Sequence, residues 1–174
     1  MMTNCASRTA AGLVCVMMSV AAAAQQSPVN SPLLDHLAGS WVLRGTIAGR
    51  KTTHDIKAQW VLGHHYLQIH EVAREKNSSG GPQYEATIFL AWNQKPPHYS
   101  CVWLDVYGGL SPESIGTAAP QASELPFVFK DDKGETTFTN DFLYNSKADS
   151  WEWHMDNVEK GVSKPFGRVT LTRQ

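Results

Sequence analysis

Apolar and polar residues alternate along most of the chain beyond residue 41, which is the pattern of β-strands with one buried face and one wet face. Segment 149–157 is typical, because Trp151, Trp153 and Met155 share one face while charged residues and a histidine occupy the other. Ten segments of this kind are predicted as strands, at 41–48, 53–62, 65–75, 83–92, 98–107, 113–118, 125–130, 135–144, 149–157 and 165–173.

The connections between these segments predict how the strands are arranged. Most are short turn clusters rich in Gly, Asn, Asp and Pro, and such hairpins force neighbouring strands to run antiparallel. With no helix to cover a sheet, the dry faces close most naturally into an all-β, antiparallel up-and-down β-barrel of about 8–10 strands. A two-sheet sandwich is the alternative. Segment 112–124 is rich in proline and glycine, so we expect an edge, a bulge or a long loop there.

The chain begins with the features of a cleaved export signal, over residues 1–24. Arg8 supplies the basic start, 10–20 is apolar but too short to span a bilayer, and Ala22-Ala23-Ala24 fits a cleavage site. An uncleaved anchor is the alternative. Cleavage would leave a flexible leader over 25–32 and a single domain over 33–174, with no membrane anchor. We therefore expect an exported protein, periplasmic or secreted.

The first predicted element of the domain is a short helical turn. Leu33, Leu34 and Leu37 share one face of this turn, and Gly39 ends it. It is the one convincing helical pattern beyond the predicted signal, and we expect it to plug one end of the barrel.

Charge and cysteine content exclude some classes of partner and bond. The chain has 15 basic and 16 acidic residues, and this near-balance, without a basic cluster, argues against a nucleic-acid partner. Cys101 alone lies beyond the predicted signal, so an internal disulfide is excluded in the exported chain. All 6 tryptophans lie in that part, which predicts an aromatic core.

The run Gly39-Ser40-Trp41, at the start of the first strand, resembles the Gly-x-Trp signature of the lipocalin, or calycin, superfamily. The resemblance covers about residues 33–173 and is closer to exported bacterial lipocalin-like proteins classed as a domain of unknown function. It implies a calycin-like barrel with a closed end. It also implies that a basic residue of the last strand, Arg168 or Arg173, lies over the Trp41 ring and seals that end through a cation–π contact.

A cup of this kind predicts binding of a small apolar or amphipathic ligand, without catalysis. Segment 98–107 is the most informative wall of this cup. One of its faces carries Tyr99, Trp103, Asp105 and Tyr107. The other face of the segment is also apolar, so we expect both faces to be covered. Alternatively, Asp105 and Tyr107 sit at the strand end and bind water or a loop amide. The predicted ligand-binding residues are Trp60, Tyr84, Tyr99, Trp103, Asp105, Tyr107, Trp151 and Trp153.

Three other functions stay open. A barrel enzyme would use Asp105 with Tyr99 or Tyr107 for acid–base chemistry, although known enzyme motifs are absent. A haem-binding, nitrobindin-like barrel would use His154, but the glycines that follow Trp41 depart from that family's pattern. A structural domain would fill the interior with its own aromatic residues.

No metal site or other cofactor is predicted, since the histidines lack a ligand-like spacing. The sequence is compatible with a monomer or a dimer.

Overall fold

The computed structural model of the protein describes residues 31–174. The predicted export signal and residues 25–30 of the predicted leader lie outside this part. One short helix, α1 (Pro32–Leu37), precedes ten strands. The strands are β1 (Gly39–Ile47), β2 (Arg50–Val61), β3 (Tyr66–Ala73), β4 (Glu85–Gln94), β5 (Pro97–Asp105), β6 (Ile115–Ala118), β7 (Glu124–Lys130), β8 (Thr136–Asn145), β9 (Ser150–Glu159) and β10 (Val162–Arg173).

The strands form one closed barrel in which each strand pairs antiparallel with its neighbours in sequence, and β1 closes the ring against β10. The prediction of an all-β up-and-down barrel with a short N-terminal helix is therefore confirmed, and the sandwich alternative is wrong. The predicted alternation has a direct structural cause: residues i, i+2 and i+4 of each strand point into the barrel. Within the described residues, no helix is long and apolar enough to cross a membrane.

The helix α1 closes one end of the barrel. Leu33, Leu34 and Leu37 are all buried. The carbonyl of Leu37 accepts a hydrogen bond of 2.8 Å from Nε1 of Trp41, which is itself fully buried. This end of the interior is packed solid, so the plug expected from the sequence is present.

Arg173 covers the plug from outside. Its guanidinium carbon lies 4.0 Å from the centre of the Trp41 ring. The same group donates to the carbonyls of Ala38 and His36, at 3.0 and 3.1 Å, so it also holds the end of α1. Arg168 lies elsewhere, because it points outward and binds Asp156 and the carbonyl of Met155.

Gly39 makes room for this contact. Its φ is +132°, and a Cβ at this position would overlap the Arg173 guanidinium. We expect Gly39→Ala to lower the free energy of unfolding by about 1–3 kcal/mol, as measured by urea denaturation. Gly49 is the matched control, since its φ is also positive, at +75°, but a Cβ there would meet no atom within 4 Å. Equal losses in the two variants would show that the overlap with Arg173 is unimportant.

The weakest seam of the barrel is β6, within the proline-rich segment that was predicted to be irregular. A one-turn 3-10 helix at Pro112–Ser114 leads into this strand of four residues. It shares four residue pairs with β5 and only two with β7.

The expected cover on both faces of segment 98–107 is wrong, because Leu104 is 37% and Val106 52% exposed on the outer side.

Candidate functional site

A cavity of about 820 Å³ opens at the end of the barrel opposite α1. Aromatic side chains from five strands, the tyrosine that precedes β4 and a methionine form its apolar wall: Tyr84, Trp103, Phe129, Phe138, Trp153, Met155 and Phe166. Trp103 and Trp153 are the deepest members, because the next inward residues of their strands, Cys101 and Trp151, belong to the packed half. Their rings meet edge to face across the barrel, with centroids 6.3 Å apart. The interior is thus filled on one side of these tryptophans and open on the other.

A buried His54–Glu71 pair joins β2 and β3 at the cavity wall. His54 Nδ1 and Glu71 Oε1 are 2.5 Å apart, and the two residues are only 3% and 2% exposed. The second carboxyl oxygen, Glu71 Oε2, is also buried and has no hydrogen-bond partner among the described residues. A buried polar atom without a partner is costly and uncommon, so its position in a cavity wall calls for an explanation.

The pair continues to the rim of the cavity through Thr52 and Glu75. His54 Nε2 lies 2.7 Å from Thr52 Oγ1, which in turn donates to Glu75 Oε2 at 3.0 Å. Burial raises the pKa of Glu75, but bonds from its own amide, from the amide of Thr53 and from Thr52 outweigh burial and lower it overall. Glu75 is therefore ionised at neutral pH. The result is a continuous hydrogen-bond chain, Glu71–His54–Thr52–Glu75.

A second polar group is formed by Tyr84, which directly precedes β4, and by two residues of β5. Trp103 Nε1 donates to the Tyr84 hydroxyl at 2.9 Å, and this hydroxyl donates to Asp105 Oδ2 at 3.3 Å. Burial, together with the charges of Glu71 and Asp105, raises the pKa of Tyr84 well beyond its usual range, so the phenol stays protonated. Asp105 Oδ1 accepts from the amide of Tyr107 at 2.9 Å. Both oxygens of Asp105 are therefore already engaged, as the loop-amide alternative expected.

The structure brings together five of the eight predicted ligand-binding residues at the cavity: Tyr84, Trp103, Asp105, Tyr107 and Trp153. Tyr107 belongs to the rim, since its side chain is 82% exposed.

The other three lie at the closed end, each bound to α1 or to the residue that precedes it. Tyr99 and Ser31 share a hydrogen bond of 3.2 Å, Trp60 donates to Asp35, and Trp151 donates to the carbonyl of His36. They support the plug instead of lining the cavity. Tyr99 is consequently remote from Asp105, and of the two tyrosines that the enzyme alternative named, Tyr107 is the one that lies at the same cavity as Asp105.

The sequence interpretation did not single out His54 and Glu71, although the signal was present. His54 precedes the inward Ile56 by two residues, and Glu71 follows the inward Ile69 by two. Extending the alternation by one step would have placed both polar side chains on the dry face.

Haem ligation by His154 does not fit this arrangement. His154 points outward from β9 and bonds to Glu152. Within residues 31–174, His54 is the histidine that lines the cavity, and both of its ring nitrogens are engaged. The same part of the chain contains no cluster of three or more side chains able to hold a metal ion. Cys101 is fully buried, which raises the pKa of its thiol and leaves it unreactive.

No protein-family model matches the chain, and no curated protein is significantly similar to it. The barrel and the chemistry of its cavity are therefore the observations that bear on function.

Proposed function

We propose that this protein is an exported, lipocalin-like binding protein that holds one small apolar or amphipathic molecule in its barrel. The observation that carries the proposal is the cavity of about 820 Å³, whose aromatic wall surrounds a few buried polar groups. Small-molecule sites have this composition: an apolar lining gives affinity, and a few fixed polar atoms orient the ligand.

The closed end supports the assignment to a lipocalin-like class. The order of helix, Gly39, Trp41 and a covering Arg173 matches the arrangement that the Gly-x-Trp resemblance implies. Export is proposed from the signal-like residues 1–24.

The two chemical regions of the cavity divide the ligand into a body and a head. Trp103, Trp153 and Phe138 offer flat apolar faces to an aromatic or isoprenoid body. The Glu71 group on β3 and the Tyr84 group just before β4 offer hydrogen bonds to a polar head. Because both regions belong to one cavity, an amphipathic molecule satisfies it better than a purely apolar one.

Binding is tested by titration with N-phenyl-1-naphthylamine, a neutral probe whose fluorescence rises in apolar surroundings. We expect saturable one-to-one binding, and probe at 100 times its Kd should stabilise the fold by about 2.7 kcal/mol. For a domain of this size that corresponds to roughly 5–10 °C in Tm.

Two tryptophan variants locate the probe. Trp103→Ala should weaken binding by about tenfold, the value of one aromatic contact. Trp60→Ala is the control, because Trp60 lies at the closed end, and it should change the Kd by less than about twofold. Circular dichroism checks that both variants fold. Absence of saturable binding, or equal weakening in both variants, would contradict the proposal.

A further inference from the structure

We infer that the molecule held in the cavity carries a hydrogen-bond donor, a hydroxyl or an N–H group, that binds Glu71 Oε2. This inference rests on the proposed binding function and names the head group that the cavity selects. Glu71 lines the cavity and is 2% exposed, and its Oε2 has no partner in the described part of the chain. The polarity required of the head group follows from the protons of the hydrogen-bond chain behind it.

At the rim of the cavity, Glu75 determines where the protons of the hydrogen-bond chain lie. Glu75 is ionised and can only accept, so the single hydroxyl proton of Thr52 points to Glu75 Oε2. The Thr52 oxygen must then accept from His54, because two acceptors cannot share a contact of 2.7 Å. His54 Nε2 is therefore protonated.

At the other end of the hydrogen-bond chain, one proton lies between His54 and Glu71. The short contact between His54 Nδ1 and Glu71 Oε1, at 2.5 Å, holds one further proton. If that proton rests on Nδ1, Glu71 is a carboxylate and Oε2 accepts. If it rests on Oε1, Glu71 is a carboxylic acid and Oε2 is its carbonyl oxygen, which also accepts. Both placements leave the pair without net charge and Oε2 as an acceptor.

An acceptor in this position discriminates between head groups. A hydroxyl or N–H group of the ligand completes the bond that Glu71 Oε2 lacks, which removes the cost of a buried unpaired oxygen. A carboxylate would place acceptor against acceptor, close to the further negative charge of Asp105. The cations of the lining, Arg50 and Lys51, are exposed at the first residues of β2 and lie at the rim. At Glu71 the cavity therefore favours neutral or cationic donors over fatty-acid-like anions; the other buried side-chain atom of the lining that lacks a partner among the described residues, Trp153 Nε1, is a donor on the apolar wall.

Three naphthalenes of nearly equal shape test this selectivity on the wild-type protein. 2-Naphthol donates a hydrogen bond, 2-methoxynaphthalene can only accept one, and 2-naphthoate is an anionic acceptor. Their affinities are measured by displacement of N-phenyl-1-naphthylamine and by calorimetry. We expect 2-naphthol to bind at least about tenfold more tightly than 2-methoxynaphthalene, as a bond to a charged or shared-proton carboxyl implies. We expect 2-naphthoate to bind most weakly.

A variant assigns the selectivity to Glu71. Glu71→Met keeps the length of the side chain and removes the acceptor, so the two neutral naphthalenes should then bind within about twofold of each other. Glu85→Met is the control, because Glu85 bonds to His70 on the outer face of the barrel, and it should keep the wild-type ratio. If Glu71→Met does not fold, His54→Leu/Glu71→Met, which leaves no unpaired partner, replaces it.

The outcomes separate this inference from the proposed function. If 2-methoxynaphthalene binds as tightly as 2-naphthol, or if 2-naphthoate binds most tightly, the donor inference is overturned while the binding function stands. If Glu71→Met folds and retains the wild-type ratio, the inference is likewise overturned. If none of the three naphthalenes and no N-phenyl-1-naphthylamine binds, the proposed function itself fails.

Discussion

Replacing Trp41 by alanine is expected to lower the free energy of unfolding by about 3–5 kcal/mol, the usual cost of removing a large buried aromatic side chain. Trp41 is fully buried between α1 and Arg173, and its indole nitrogen donates to the Leu37 carbonyl at 2.8 Å. The variant would lose this packing, leave a cavity at the closed end and free a buried carbonyl. Because α1 is held largely through Trp41 and its neighbours, the plug itself should loosen.

Urea denaturation of wild type and variant measures the loss. Arg173→Met provides the comparison, since it keeps Trp41 and most of the covering chain but removes the charge at 4.0 Å from the ring. We expect this variant to lose about 1–2 kcal/mol, from the cation–π contact, two carbonyl bonds and the exposed ion pair with Asp149. A loss within about 0.5 kcal/mol for Trp41→Ala would show that the helix–Gly-x-Trp arrangement does not hold the closed end.

The second large effect is expected at the His54–Glu71 pair. His54→Leu should cost about 3–5 kcal/mol, because it leaves the buried Glu71 without a partner in a low-dielectric wall. Glu71→Met should lower the free energy of unfolding by a similar amount, because it leaves the buried His54 without its carboxyl partner. The double variant His54→Leu/Glu71→Met should recover most of the loss, since two well-packed apolar residues replace a buried polar pair.

A double-mutant cycle by urea denaturation gives the interaction free energy directly. The chain provides a matched control in His70 and Glu85, a cross-strand His–Glu pair at 2.8 Å on the outer face. Its side chains are 47% and 45% exposed, so His70→Leu should cost no more than about 1 kcal/mol. Equal costs for His54→Leu and His70→Leu, or a double variant as unstable as the two single losses added together, would contradict the buried-pair account.

The alternation of apolar and polar residues predicted the fold correctly because a period of two is specific to strands. The short turns then left each strand little choice of pairing partner. The alternation also contained the answer to one question that the resemblance left open. Gly167, Val169 and Leu171 of β10 are buried, so Arg173 falls on the same inner face and Arg168 on the outer one. Parity along the strand thus selects the arginine that reaches Trp41.

The alternation along a strand shows which residues point into the barrel, but it does not show how deep each of them lies. Trp103 and Tyr99 share the inner face of β5, yet Trp103 lines the cavity and Tyr99 packs under α1. Depth along the barrel axis depends on strand register and tilt, which the alternation of apolar and polar residues does not determine. For the same reason the sequence could not show that His54 and Glu71, 17 positions apart, meet across β2 and β3.

We propose that the open half of the barrel is a ligand site whose polar anchor is Glu71. Crystals grown with 6-bromo-2-naphthol test this proposal, because bromine is located by anomalous scattering. We expect a bromine peak inside the cavity, against the Trp103 and Trp153 faces, with the naphthol oxygen at hydrogen-bond distance from Glu71 Oε2. Bromine found only outside the barrel, at ligand concentrations that saturate binding in solution, would contradict it.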